Sequence, residues 1–233
     1  MDNLIKKIDK IDKEIIEIKN YIIKREEEVK FIEDIDNLSI KSKSQTFSNM
    51  NFELFSKEKL DDNISQEENY LNATLKCQGF CIIDNYPFNG LVLRGGTGTG
   101  KTYMCNCIAN VMISNGYSVR YYSSVELFQL INDAIISKTI DRKTYDFIYE
   151  CDLLIIDNFG LEIKNNFTIS HLLNIIEKRE SNLKKTVIST PLNLTDLVES
   201  YGNLLFGKLF DYYSFINFIG PDIRFSTLQN KKD

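Results

Sequence analysis

Histidine is nearly absent from this 233-residue sequence: His171 is the only one. Zinc sites draw about four Cys or His ligands, so the pairs Cys77/Cys81 and Cys105/Cys107 read as buried thiols in helices, not as half metal sites. His171, in TISHLLNII, has no companion and reads as structural. Five cysteines, an odd number spread through apolar segments, predict reduced thiols and a cytoplasmic home. No apolar run approaches the roughly 18 residues needed to span a bilayer, so no membrane partner is expected. The opening MDNLIKKIDK alternates charge and isoleucine, which predicts no signal peptide. A basic excess is lacking too. Lys+Arg 28 against Asp+Glu 33 gives a formal charge of -5, so nucleic-acid contact must come from a local patch or a multimer. No internal repeat of about 20–50 residues is visible, which excludes solenoids and propellers. The 43% hydrophobic and 26% charged residues exclude collagen-like, mucin-like and wholly disordered chains.

What is present begins with a helical pattern over residues 1–40. Leu4, Ile8, Ile11, Ile15, Ile18, Ile22, Val29 and Ile32 step by fours and threes, with Arg25 in the one polar slot and no Gly or Pro between them. This is a heptad seam. Ile5, Ile16, Ile23 and Phe31 widen it beyond the needs of a two-stranded coil. Self-association or a partner-binding helix is one reading; packing on its own globular domain is the other. Residues 41–64 are polar and Ser-rich over their first part and read as a linker. From 65 to 233, strands alternate with helices. Strands are expected at 91–94, 117–122, 153–156, 186–189 and 215–219. Helices are expected at 65–80, 101–114, 124–136, 141–150, 168–181, up to 200, and 202–212. Apolar strands separated by helices imply an α/β fold with a parallel sheet covered on both faces.

The chemistry concentrates in Gly95-Gly96-Thr97-Gly98-Thr99-Gly100-Lys101-Thr102, which fits G-x-x-x-x-G-K-[ST] between a strand and a helix. Glycines let backbone N–H groups curl around phosphate oxygens, and the helix begins at the phosphates with its positive end facing them. Lys101 is placed to reach β- and γ-oxygens, and the Thr102 hydroxyl to ligate Mg2+. The second signal is Leu153-Leu154-Ile155-Ile156-Asp157, an apolar strand ending in a carboxylate that can hold the same Mg2+ through water. Asn158 follows, where hydrolytic P-loop proteins commonly carry an acid; an amide can orient water but cannot take its proton. Glu162 could substitute for it, or be a solvated loop carboxylate. Phe52 and Phe55 either wall an adenine or form a hydrophobic plug. Tyr121 and Tyr122 read as packing residues, with stacking on single-stranded DNA the rival. Lys138, Arg142, Lys143, Lys184 and Lys185 are scattered candidates for weak single-stranded DNA contact.

The run from Leu91 to Arg224 resembles the DnaC/IstB-type AAA+ ATPases, which include bacterial replicative-helicase loaders and transposition helpers. The likeness rests on GGTGTGKTYMCNCIAN, LLIIDNFGLE, TVISTPLNLTDL, YGNLLFGKLF and FIGPDIR, in the family's order. It implies a three-layer P-loop NTPase of AAA+ type, with ATP at Gly95 to Thr102 and Mg2+ at Thr102 and Asp157. It also implies a DnaB-type ring helicase as partner, gripped by the N-terminal helix. Asn158 stands where the family carries a second acid, and Glu162 matches an acid often seen downstream. Ser189-Thr190 is followed by Pro191 where the family usually has Asn. Lys208 stands at the arginine-finger position with a charge but no planar fork, and Arg224 matches the arginine called sensor two. ATP binding is thus expected to be intact and hydrolysis slow. Three functions stay open: a helicase loader, a transposition helper, and a non-hydrolysing nucleotide-dependent scaffold.

Overall fold

The computed structural model describes residues 44–60, 63–83, 86–137 and 142–225. All belong to one unit, Ser42–Asp233. The heptad helix expected over residues 1–40 lies outside the described residues, as does Lys138.

Five strands form one parallel sheet: β1 (Gly90–Gly95), β2 (Val119–Ser123), β3 (Leu153–Asp157), β4 (Lys185–Thr190) and β5 (Tyr213–Phe218), in the order β2-β3-β4-β1-β5. The helices are α1 (Gln66–Ile82), α2 (Lys101–Ser114), α3 (Ser124–Asn132), α4 (Arg142–Glu150), α5 (Asn166–Ser181) and α6 (Leu194–Tyr212). A π-helical turn, Asp133–Ser137, continues α3. The expected α/β architecture and parallel sheet are therefore present.

Sequence chemistry explains most of the boundaries. Ser65 and Glu68 form a capping box at α1, and Ser123 and Glu126 form one at α3. Asn193 caps α6 through the Asp196 N–H. Gly202 adopts φ 80° and ψ 164°, which breaks α6 into the two helical pieces that the sequence predicts. Every residue of β3 is buried, as expected for a central strand covered on both faces.

Two cores flank the sheet. One joins α3, α4, α5 and α6 through residues such as Leu127, Ile148, Ile175 and Leu205. The other joins α1 and α2 through Cys77, Phe80, Met104 and Ile108. All five cysteines are free and buried; burial pushes the thiols of Cys77, Cys81, Cys105, Cys107 and Cys151 upward, so they stay protonated and act as packing.

The Ser-rich stretch before α1 does more than link. Over 44–60 it lies against the second core as a strap with two short 3-10 turns, Phe47–Asn49 and Phe52–Leu54. The Asn106 and Asn110 side chains of α2 donate to Gln45, at 2.6 and 2.8 Å, and Phe55 is buried. Its polar composition suits a segment bonded by side chains, and Phe47, Phe52 and Phe55 anchor it together with Met50 and Leu54.

At the N-terminal ends of the strands lies a polar network that the sequence did not announce. Arg179 of α5 is fully buried. Its guanidinium donates to Thr186 Oγ1 (2.9 Å) and to the carbonyls of Ile148 (2.8 Å), Cys151 (3.0 Å) and Lys185 (2.6 Å). Nearby, Asp152 accepts from Ser118 N and Oγ and from Lys184 Nζ (3.0 Å). Lys185 Nζ donates to the Phe80 carbonyl and lies over the Phe80 ring. Lys184 and Lys185, expected as DNA contacts, are thus engaged within the domain.

Candidate functional site

The C-terminal ends of β1, β3 and β4 bring the P-loop, Asp157 and Ser189 together. Gly98 and Gly100 both adopt left-handed backbone, with φ of 71° and 96°. At Gly98 a Cβ would run into the Asp222 carboxylate, and at Gly100 into the Tyr70 ring. Both glycines are required by conformation and by space. Gly100 is also the N-cap of α2, so the loop leads directly into the helix N-terminus.

Lys101 is 7% exposed, and its ammonium donates to the carbonyls of Gly95 and Gly96, each at 2.7 Å. Burial lowers its pKa, with Asp157 pulling the other way. Among the described residues it makes no ion pair. A buried cation satisfied only by carbonyl oxygens fits an anion such as a triphosphate. Thr99 Oγ1 donates to the Gly96 carbonyl at 2.8 Å and stiffens the loop. Gly96 and Thr97 complete the loop between these fixed points.

Asp157 is 3% exposed and gathers donors from four elements. Thr102 Oγ1 of α2 donates to Oδ2 at 3.0 Å and lies 3.3 Å from Oδ1. The Tyr121 hydroxyl of β2 donates to Oδ2 at 2.9 Å. The Asn158 N–H donates to Oδ1 at 3.0 Å, and Ser189 Oγ of β4 also donates to Oδ1. Every partner is neutral. Because Thr102 spends its proton on Asp157, its oxygen lone pairs remain for a hard cation, and the hydroxyl-carboxylate pair suits Mg2+. Tyr121 is the functional neighbour that sequence reasoning missed. The signal was register: Ser123 pairs with Asp157, so Tyr121, two residues earlier, shares its face.

The remaining expected residues are placed as follows. Asn158 adopts φ 56°, which asparagine tolerates better than most residues. Its N–H also lies 3.0 Å from Ser189 Oγ, and its carbonyl accepts from Ser124 Oγ. Glu162 is buried; it accepts from the Gly160 N–H at 2.9 Å and from the Tyr201 hydroxyl. Tyr201 stacks on Phe159 within the α6-side core, and burial together with Glu162 raises its pKa. Glu162 therefore ties the loop after β3 to α6, one oxygen taking Gly160 and the other Tyr201. Lys208 pairs with Glu177 of α5 at 3.1 Å, which raises its pKa. Arg224 forks onto Asp222, with Nε at 2.8 Å from Oδ1, and holds that carboxyl down at about 2. Asp222 itself lies against Gly98, and the Ile223 N–H donates to the Gly98 carbonyl at 3.0 Å. Phe55 stacks on Tyr70 at 4.0 Å beneath Gly100, with Phe52 edge-on to the same ring. The two phenylalanines belong to an aromatic plug under the loop.

Replicative helicase loader DnaC of Escherichia coli K12 is 21% identical over 143 residues, 61% of this chain and 58% of that protein. Chromosomal replication initiator protein DnaA of Wolinella succinogenes is 32% identical over 118 residues, 48% of this chain and 26% of that protein. The chain thus spans less than two thirds of these relatives. Among solved structures, that of the DnaC helicase loader superposes with a TM-score of 0.58 at 18% identity, covering 74% of this chain and 98% of that one. AMPPCP-bound DnaA from Aquifex aeolicus gives a TM-score of 0.60 at 17% identity, covering 80% and 54%. At these identities the likeness is one of fold, a P-loop domain of AAA+ type. The family model for IstB-like ATP binding proteins matches residues 82–206, more than half of the chain and the whole stretch from the P-loop to Asp157. By its sequence and its fold, this chain belongs to the IstB-like ATP binding proteins, within the DnaC/IstB-type AAA+ ATPases.

Proposed function

We propose that this protein is an ATP-binding accessory factor of DNA replication that binds a DnaB-type ring helicase and delivers it to DNA. Residues 1–40 would supply the grip on the helicase, and residues 65–233 the nucleotide switch. Gly95 to Thr102 would cradle the phosphates, with Lys101 turning from the Gly95 and Gly96 carbonyls to the anion. Thr102 and Asp157 would hold Mg2+, which when bound neutralises charge on the phosphate oxygens. One observation carries the reading. The binding groups Lys101, Thr102 and Asp157 converge, while Glu162, Lys208 and Arg224 are each engaged by a partner within the chain.

Hydrolysis would be slow in consequence. Asn158 offers an amide where a base would serve. Pro191 offers no side-chain donor, and Lys208 lacks the fork of an arginine finger, a group worth about 10³–10⁵ in rate. ATP would favour one arrangement of subunits, and slow hydrolysis would reset it. Self-association and weak single-stranded DNA contact belong to this reading. The match to IstB-like proteins supports a second reading, a transposition helper. The heptad pattern read in the sequence of residues 1–40 and the acidic balance favour the loader.

The test is co-purification with a DnaB-type helicase, with and without residues 1–40, joined to a steady-state ATPase assay. Helicase binding should be lost on truncation, and turnover should stay below about 1 s⁻¹. Retained binding overturns the grip. Faster turnover overturns the slow switch. Firm DNA binding without any helicase favours the transposition helper.

A further inference from the structure

The donors around Asp157 divide between its two oxygens according to the side they come from. Oδ1 is held twice, by the Asn158 N–H and by Ser189 Oγ, both from the loop and β4 side. Oδ2 is held by Thr102 Oγ1 and by the Tyr121 hydroxyl. Thr102 is the residue expected to give its oxygen to the cation, so its own position depends on what it binds. Tyr121 is thus the only fixed donor on Oδ2 among the described residues. It comes from β2, an edge strand on the opposite flank of β3 from β4. The carboxylate plane is pinned from both flanks. Without the phenol it would pivot about Oδ1 and lose the angle it presents to Thr102.

The packing role of Tyr121 separates cleanly from this bond. Its ring is half-buried against the core that joins α1 and α2, beside β2 and β3. An ordinary phenol carries its proton at neutral pH and so serves as a donor there.

We propose that Tyr121 is a positioning residue for the metal-binding carboxylate, setting the orientation of Asp157 from which the site takes up nucleotide together with Mg2+. The inference rests on the Mg-ATP reading above and assigns to β2 a share in that site. Groups that orient a metal's carboxylates typically cost about 10–100-fold in metal affinity when removed. Tyr121→Phe keeps the ring and removes only the donor.

The experiment measures binding of a fluorescent ATP analogue in EDTA and then across a titration of Mg2+, with Mn2+ as a second probe. Tyr121→Phe should bind the metal-free analogue as the unaltered chain does and unfold at the same temperature. Its half-saturating Mg2+ should rise about tenfold. Superposed Mg2+ and Mn2+ titrations for the two proteins overturn the inference. Equal loss of metal-free and metal-dependent binding also overturns it, because the phenol would then be serving the loop as a whole. If the unaltered chain takes up no nucleotide with either metal, the Mg-ATP reading itself falls.

Discussion

The two ends of the sheet each bury charge, and they differ in how fully the fold satisfies it. At the N-terminal ends of the strands, Arg179 spends its guanidinium on one hydroxyl and three carbonyls, and Asp152 meets both Ser118 and Lys184. Asp152 has a counter-charge in Lys184, and the Arg179 fork is spread over four neutral acceptors fixed in the fold. At the C-terminal ends, Lys101 meets only carbonyls and Asp157 only neutral donors. Two opposite charges lie close enough to feel each other, yet neither pairs with the other. A self-satisfied network is structural. A site whose cation and anion are held apart by neutral groups is arranged for something that arrives carrying both charges, such as a triphosphate with its divalent cation.

That contrast can be broken at either end. The largest effect belongs to Arg179→Met, which keeps the stem but strands four acceptors. We expect a stability loss of about 3 kcal/mol in urea unfolding, with nucleotide affinity unchanged under conditions where the chain stays folded. A nucleotide defect in that folded material would blur the distinction between the two ends. Lys101→Ala should do the reverse. Losing its charge-assisted bonds to phosphate should weaken Mg-ATP binding by about 100-fold in calorimetry. The unfolding temperature of the nucleotide-free chain should hold, because the ammonium's present partners are solvable carbonyls of a loop.

The smallest effect is a pH dependence. Burial raises the Asp152 pKa, but the bonds from Ser118 and Lys184 outweigh it, and the net shift is downward. A carboxyl depressed in the fold stabilises above its unfolded pKa, about 3.9, and loses that contribution as pH falls through the folded value. Asp152→Asn should therefore flatten the stability profile below about pH 4. A profile that keeps its full slope would place the acid sensitivity elsewhere.

Much of this was legible in the sequence because it depends on neighbours along the chain. The P-loop is a local motif, since its glycines and Lys101 lie within one turn. Five strands and their helices followed from apolar runs and caps, and even the break at Gly202 was visible. Helix starts at Ser65 and Ser123 could be read from an oxygen and a carboxylate three residues apart. Asp157 was legible as the polar end of an apolar strand.

Contacts between distant segments were not legible in this way. Glu162 reads alone as a loop carboxylate, and only the fold brings Tyr201 to it. Lys208 reads as a lysine at the arginine-finger position, and Glu177 claims it from another helix. Tyr121 carried no motif because its bond to Asp157 depends on strand register, which no stretch of one strand contains. Arg179 carries no motif either, and only the fold buries it.

By itself, then, the sequence determined the order of elements and the existence of a phosphate loop with a carboxylate strand. Those features are set by hydrophobic period, capping and backbone freedom, all of which act over a few residues. Only the tertiary structure decided which charged groups would be left for a ligand and which would be used up by the protein. Hydrogen bonds and ion pairs act over a few ångströms in space, and their partners here come from elements far apart in the chain.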